Sequence, residues 1–181
     1  MLFFSAYIFL IWLYSHKLKK MFLIGNITAA VLAVLPFFGI LMYYKNFYEV
    51  IFAHATFLFL LILIRELIKD LENIEGDLIA DYKTMPVVFG EKRAKSIISI
   101  LTILTLIPVY FLIEIYNVGY MDIYFYLSLI ALLFFCMMLW KATTKTEYLK
   151  LHFLLKFIIV SGVFFIVLIE PSVLFHGKKL I

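Results

Sequence analysis

The stretch FLFLLILIRELIKDLENIEGD, residues 57–77, joins two kinds of sequence that seldom adjoin in a soluble domain. Residues 57–64 have no polar atom in any side chain, whereas residues 65–77 carry five carboxylates, one Arg and one Lys. The whole chain has 181 residues, of which 66% are hydrophobic and 19% aromatic, and its mean hydropathy is +1.08. Charge this dense at the end of an apolar run is either a solvated connection or a binding site.

The apolar runs predict a helical membrane protein. Several reach about 20 residues, the length that crosses a bilayer core about 30 Å thick, and lipid leaves the backbone no hydrogen-bond partner outside a helix. The runs do not alternate as the strands of a membrane barrel do. We therefore predict an all-α, polytopic transmembrane bundle, one domain over 1–181, with a charged cytoplasmic insert at about 65–95. The six predicted spans are 2–14, 22–44, 47–64, 96–116, 120–140 and 148–169.

Cations predict the orientation of the bundle in an inner or cell membrane. The first, third and fifth connections hold twelve Lys and Arg residues, whereas Lys45, Lys178 and Lys179 are the three in the other connections and the C-terminal tail. Cytoplasmic loops are rich in Lys and Arg, so the connection with the acidic motif is predicted to be cytoplasmic. Membrane orientation also accounts for the net charge of +4, and no nucleic-acid partner is needed to explain it.

The first predicted span is short and has no cation before it. Both termini would lie outside with six spans, and MLFFSAYIFLIWLY, residues 1–14, lacks the basic start and cleavage site of a secretory signal. We expect an odd number of spans upstream of this segment.

The acidic stretch places its charges on one side if it continues the third span as a helix over 65–81. At 100° per residue, four carboxylates and one amide share a face about 80° wide: Glu66, Asp70, Asn73, Asp77 and Asp81. Like charges one turn apart repel, so a divalent cation would give this row a purpose. Oxygen ligands at open spacing suit Mg²⁺. Gly76 is the predicted weak point of the helix, and a solvated acidic loop is the alternative interpretation.

RELIKDLENIEGDLIADYKTMPVVFG, residues 65–90, resembles the second Asp-rich motif of the UbiA-type intramembrane prenyltransferases, closest to the geranylgeranylglyceryl phosphate enzymes. LYSHKLKK at 13–20, followed by GNITAAVLAVLPF at 25–37, resembles the junction of the family's fourth and fifth helices. The resemblance covers essentially the whole chain. It implies a nine-helix fold around a central cavity, of which this chain supplies helices four to nine.

The resemblance also implies a mechanism. Two Asp-rich motifs bind an allylic polyprenyl diphosphate through Mg²⁺, and an acceptor attacks the carbocation-like species that remains as diphosphate leaves. By this likeness the predicted metal ligands are Glu66, Asp70, Asn73 and Asp77, with Asn73 standing where many members have Asp. The predicted catalytic residues are Asp70, Asp77 and Lys83, and the predicted diphosphate contacts are Arg65, Lys69 and Lys83.

The family's first motif, Asn-Asp-x-x-Asp-x-x-x-Asp, does not occur in these 181 residues. The implied function is a Mg²⁺-dependent prenyltransferase, or a fragment of one whose other half is supplied upstream. Its acceptor is a glycerol phosphate or an aromatic quinone precursor. An inactive or accessory membrane module is the alternative. A cation transporter would require acids at the bilayer midplane, and these lie at the end of a span.

Five further residues have simpler interpretations. Asn26 and His54 are predicted to form helix–helix hydrogen bonds. Lys156, inside the last span, either extends its ammonium group to the membrane interface or has a functional role in the bundle interior. Pro108, like Pro36 in the second predicted span, is predicted to kink its helix.

Overall fold

The computed structural model describes residues 2–44, 48–116 and 118–165, which form helices and no strand. The helices are α1 (Leu2–His16), α2 (Ile24–Tyr44), α3 (Glu49–Glu72), α4 (Ile74–Ile79), α5 (Met85–Phe89), α6 (Glu91–Leu104), α7 (Leu106–Tyr110), α8 (Asp122–Lys141) and α9 (Lys145–Phe165). A 3₁₀ turn, Leu18–Lys20, separates α1 from α2, and a π-helical turn, Phe111–Ile115, extends α7. The predicted all-α bundle is confirmed.

Four helical segments of the described chain are long and apolar enough to cross a membrane: α3, the α6–α7 segment through Ile115, α8 and α9. The first two predicted spans correspond to shorter apolar helices, Phe3–His16 and Ile24–Gly39. The predicted end of the last span at Ile169 and the cations Lys45, Lys178 and Lys179 lie outside the described residues.

Helix α3 is the centre of the bundle. It packs against α2, α6, α7 and α9, and its side chains Leu61, Ile64, Leu67 and Ile68 are almost completely buried. The outer helices instead expose large apolar side chains, such as Leu133 of α8, as expected where helices face lipid. The charged end of α3 is therefore enclosed by neighbouring helices.

The predicted kink at Pro108 coincides with an interruption of the fourth predicted span, 96–116. α6 ends at Leu104, and α7 begins at Leu106. Proline has no N–H to donate to the carbonyl four residues earlier, and its ring crowds that carbonyl. The residue four positions before Pro108 is Leu104, so the break occurs where the proline would cause it.

The acidic stretch is two helices, which corrects the single helix over 65–81. α3 ends at Glu72, Asn73 leaves the helical conformation with φ −119° and ψ 24°, and α4 follows. Asn side chains compete for backbone hydrogen bonds and favour helix ends. The break is therefore at Asn73 rather than at the predicted weak point, Gly76. Asp81 has a φ of +54° in an exposed turn after α4, so it leaves the acidic row.

Candidate metal and diphosphate site

Asp70 is held by the neighbouring helix α2. Asn26 Nδ2 donates a hydrogen bond of 2.7 Å to Asp70 Oδ2, so the predicted helix–helix hydrogen bond of Asn26 is confirmed. The same prediction is wrong for His54, whose Nδ1 lies 2.8 Å from the Val50 carbonyl oxygen of its own helix.

The residue before Asn26 explains how α2 reaches Asp70. A Cβ at Gly25 would lie 3.0 Å from the Leu18 carbonyl oxygen and 3.1 Å from that of Lys19. Glycine thus lets the 3₁₀ turn pack on the start of α2.

Glu66 is buried and already neutralised. Its Oε1 lies 2.6 Å from an Arg65 nitrogen, and its Oε2 lies 3.1 Å from Lys69 Nζ. Each Glu66 oxygen therefore already contacts one cation. The structure therefore brings a predicted metal ligand together with two predicted diphosphate contacts, and joins them to one another.

Asp77 is the acid that lacks compensation. It is 8% exposed, and its carboxylate has no hydrogen bond or ion pair to any part of the chain that the structure describes. The Asp77 and Asp70 carboxylates lie within electrostatic range and repel each other. Burying two repelling carboxylates is unfavourable unless a cation or a proton neutralises them. A cation between Asp70 and Asp77 would relieve both effects.

Asn73 lies between these two acids and is bonded to both through its backbone. Its N–H donates to the Asp70 carbonyl oxygen at 3.2 Å, and its carbonyl oxygen accepts from the Asp77 N–H at 2.9 Å. Its amide folds over the following helix, where a Cβ at Gly76 would lie 2.9 Å from Nδ2 and 3.0 Å from Oδ1. Only glycine at that position lets the amide remain there unshifted. Asp70, Asp77 and Asn73 supply the oxygen donors that suit Mg²⁺. The described residues contain no group of three or more His, Cys, Asp or Glu side chains arranged for a metal, so the fit is a partial set of ligands.

Lys83 lies in the turn after α4, and this turn contacts the turn between α1 and α2. The Lys83 backbone N–H donates to the Lys20 carbonyl oxygen at 3.3 Å, and the ammonium groups of Lys19 and Lys20 each lie 5.7 Å from the centre of the Tyr82 ring. An open cavity of about 490 Å³ lies between the turn after α1 and the turn after α4. Its lining is Lys20, Met21, Phe22, Ile24, Asp81 and Lys83.

Tyr14 links this basic region to the acidic helix. Its phenol is within electrostatic range of Asp70, Lys69 and Tyr82. From the sequence, Tyr14 and the lysines of residues 13–20 are recognised as site candidates only by their resemblance to a family helix junction. Their approach to Tyr82 and Lys83 depends on the return of the chain after α3, because more than 60 residues separate the two turns.

Two polar clusters were missed by sequence reasoning. Lys95 is 5% exposed, and its Nζ contacts the Ala142 carbonyl oxygen at 2.5 Å and Glu91 Oε1 at 2.7 Å. His152 Nδ1 of α9 lies 3.2 Å from Glu72 Oε2. The spacing of Glu91 and Lys95, one turn apart, was the available signal for the first. The second joins residues 80 positions apart and has no local signal.

Comparison with known families finds one model that matches residues 1–169, the UbiA prenyltransferase family. Three similar curated proteins are named digeranylgeranylglyceryl phosphate synthase. That of Methanosphaera stadtmanae is 38% identical over 61% of this chain and 41% of its own length. That of Pyrococcus furiosus is 40% identical over 55% and 35%. That of Methanobrevibacter smithii is 30% identical over 82% and 56%.

The chain thus spans between about a third and a little over half of these relatives' lengths. No solved structure matches the chain.

Proposed function

The chain belongs to the UbiA prenyltransferase family, and from this premise we propose that it transfers a polyprenyl group from an allylic diphosphate to a glycerol-phosphate acceptor in the membrane. The glyceryl phosphate in the relatives' name favours this acceptor over an aromatic one. The single observation that carries the proposal is the buried, uncompensated Asp77 beside Asp70 at the end of the central helix.

The carboxylates of Asp70 and Asp77, with the Asn73 amide oxygen, are the groups that would hold Mg²⁺. Asn26 fixes one Asp70 oxygen and leaves the other available. Bound Mg²⁺ would neutralise charge on the diphosphate. Further ligands would come from water, substrate or residues outside these three.

Cationic side chains are proposed to bind the diphosphate itself. Lys83 stands at the edge of the open cavity, close to Lys20, and both side chains can approach an anion there. Positive charge fixed in advance stabilises the departing diphosphate more than the bound substrate, because charge accumulates on it as the C–O bond breaks. Arg65 and Lys69 complete the predicted contacts. Glu66 acts as a positioning residue that holds these two cations rather than as a metal ligand.

Asp70→Asn and Asp77→Asn test the proposal, with Glu75→Gln as the matched control. Glu75 is exposed on the same short helix as Asp77. Membranes containing the protein are incubated with Mg²⁺, radiolabelled geranylgeranyl diphosphate and a monoalkyl glycerol phosphate. We expect each Asp variant to lose about 100-fold in transfer, as when a major electrostatic contributor is removed, and the control to retain it. Equal transfer by all three variants contradicts the assignment.

A second candidate is an accessory membrane module without transferase activity of its own. The incomplete set of metal ligands in the described residues favours it. It predicts no label transfer by the unaltered chain but Mg²⁺-dependent binding of the diphosphate, which equilibrium dialysis measures.

A further inference from the structure

A second charged cluster lies where α3 packs against α9. It consists of Arg65 and Glu72 on α3 and His152 and Lys156 on α9, and we call it the seam cluster. Glu72 and His152 form its contact across the two helices at 3.2 Å. Arg65 and Lys156 both lie within electrostatic range of the His152 ring. The proposed reaction uses this cluster only at Arg65.

The seam cluster is on a different side of α3 from the acids of the proposed metal site. Arg65 and Glu72 are about two helical turns apart and share one face, whereas Asp70 is rotated by about 140° from Arg65. The contacts agree, because Asp70 bonds to Asn26 on α2 and Glu72 bonds to His152 on α9. An anion bound at the seam would be separate from a diphosphate bound beside Asp70.

Two buried nitrogen atoms in the cluster have no partner. Arg65 Nε and His152 Nε2 are inaccessible to solvent and make no hydrogen bond within the described residues. Buried polar atoms in folded proteins are nearly always hydrogen-bonded, so each such atom calls for an explanation. Arg Nε can only donate, and His Nε2 donates when it carries a proton. An acceptor oxygen from a ligand would satisfy both.

The charges near the seam leave one cation in excess. Glu66 pairs with Arg65 and Lys69, and Glu72 pairs with His152. Lys156 has no carboxylate partner in the described part of the chain, and its ammonium lies 5.3 Å from the centre of the Phe153 ring. Three permanent cations therefore face two carboxylates, even when His152 is neutral.

We propose that the seam cluster binds the phosphate monoester of the acceptor lipid. This assignment rests on the proposed function, because it gives the acceptor phosphate the α9 side of α3 and the prenyl diphosphate the α2 side. It moves Arg65 from the diphosphate contacts to the acceptor phosphate. Arg65 Nε donates to a phosphate oxygen. His152 Nε2 donates to another when the ring is doubly protonated, because its Nδ1 already donates to Glu72. Lys156 supplies the balancing charge. Lys156 thereby has a binding function in addition to its position near the membrane interface.

Lipid binding by the full chain in nanodiscs of zwitterionic lipid tests the proposal. The probes are a monoalkyl glycerol phosphate, the same lipid without its phosphate, and inorganic phosphate. We expect Lys156→Met to weaken binding of the phosphate lipid about tenfold, as for the loss of one charge-assisted contact. Lys156→Arg should restore binding. Lys150→Met, on an exposed part of α9, is the matched control and should bind as the unaltered chain does.

Three other outcomes of the lipid-binding experiment would contradict the proposal. Equal binding by the Lys156→Met and Lys150→Met proteins overturns it, and so does equal loss for the lipid without phosphate. Inorganic phosphate that binds as tightly as the lipid would assign the seam to free phosphate instead. Diphosphate binding is measured in parallel and should weaken in Asp70→Asn but not in Lys156→Met. If Asp70→Asn leaves diphosphate binding unchanged, the proposed function is refuted. The lipid-binding result then decides separately whether the seam cluster binds the phosphate lipid.

Discussion

At the scale of single residues, Asp77 and Lys95 are both buried and charged, but their surroundings are opposite. Asp77 lies within electrostatic range of Asp70 and its carboxylate has no hydrogen-bond or ion-pair partner in the described residues, whereas Lys95 has a carboxylate, a carbonyl oxygen and the Tyr148 ring, whose centre is 5.5 Å from its Nζ. A buried charge without compensation suggests ligand binding, whereas a fully satisfied one suggests a structural role. Burial alone therefore does not identify a site residue.

Lys95→Met is expected to destabilise the protein without altering ligand binding. The substitution leaves the Ala142 carbonyl oxygen without its donor and Glu91 without its cation. Glu91 is partly exposed, so solvent compensates part of the lost ion pair. The free energy of unfolding is therefore expected to decrease by about 1–3 kcal/mol. Thermal unfolding in detergent measures it. Lys92→Met, on the exposed face of α6, is the control, and equal melting temperatures for both variants would refute the structural role.

At the scale of elements, glycine sets how closely two pairs of segments approach. Gly25 admits the 3₁₀ turn against α2, and Gly162 admits α8 against α9. At the second contact the Tyr124 hydroxyl donates to the Ile158 carbonyl oxygen at 3.0 Å. Small residues at crossings let membrane helices approach closely, which is how such helices gain packing energy in lipid.

Gly162→Ala is expected to weaken the α8–α9 contact. The added Cβ would lie 2.8 Å from the Tyr124 hydroxyl oxygen, and that ring is held among Phe57, Phe125 and Phe165. We expect a loss of about 1–3 kcal/mol in unfolding free energy from overpacking.

Combining Gly162→Ala with Tyr124→Phe should cost less than the sum of the single changes, because removing the hydroxyl relieves the nearest contact. Thermal unfolding of the single and double variants measures this. Val163→Ala, on an exposed part of α9, is the control. If the stability losses of the two single variants simply add in the double variant, the Tyr124 ring moves freely away from the added Cβ.

At the scale of the whole molecule, the polar connections gather at one end of the bundle. The turn after α1 contacts the turn after α4 through Lys20 and Lys83, and α9 contacts the charged end of α3 through His152. This end carries the candidate site. The Lys and Arg distribution predicts that it faces the cytoplasm.

Cysteine labelling tests that orientation. In a Cys136→Ala background, which removes the one native cysteine, Glu75→Cys and Tyr120→Cys are introduced at exposed positions toward opposite ends of the bundle. A membrane-impermeant maleimide should label residue 120 in intact right-side-out vesicles and residue 75 only in inverted ones. The reverse pattern would place the candidate site outside.

The sequence was sufficient where the physical cause is local or averaged over many residues. Apolar length and the absence of alternation determine a helical membrane bundle. Pro108 marks the break one turn before itself, although α2 continues through Pro36. The charged motif could be recognised because its acids are close in sequence. The end of α3 was misplaced at Gly76 because glycine weakens helices only statistically, whereas α3 ends where Asn73 leaves the helical conformation, with φ −119° and ψ 24°.

Only the tertiary structure decided which charges are free. The pairing of Glu66 with its two neighbours depends on which rotamers the packed helices allow, so Glu66 and Asp77 look equivalent in the sequence but differ in the fold. The contacts of Asn26 with Asp70 and of Glu72 with His152 join residues 44 and 80 positions apart. Helix packing creates such contacts, and no local pattern encodes them.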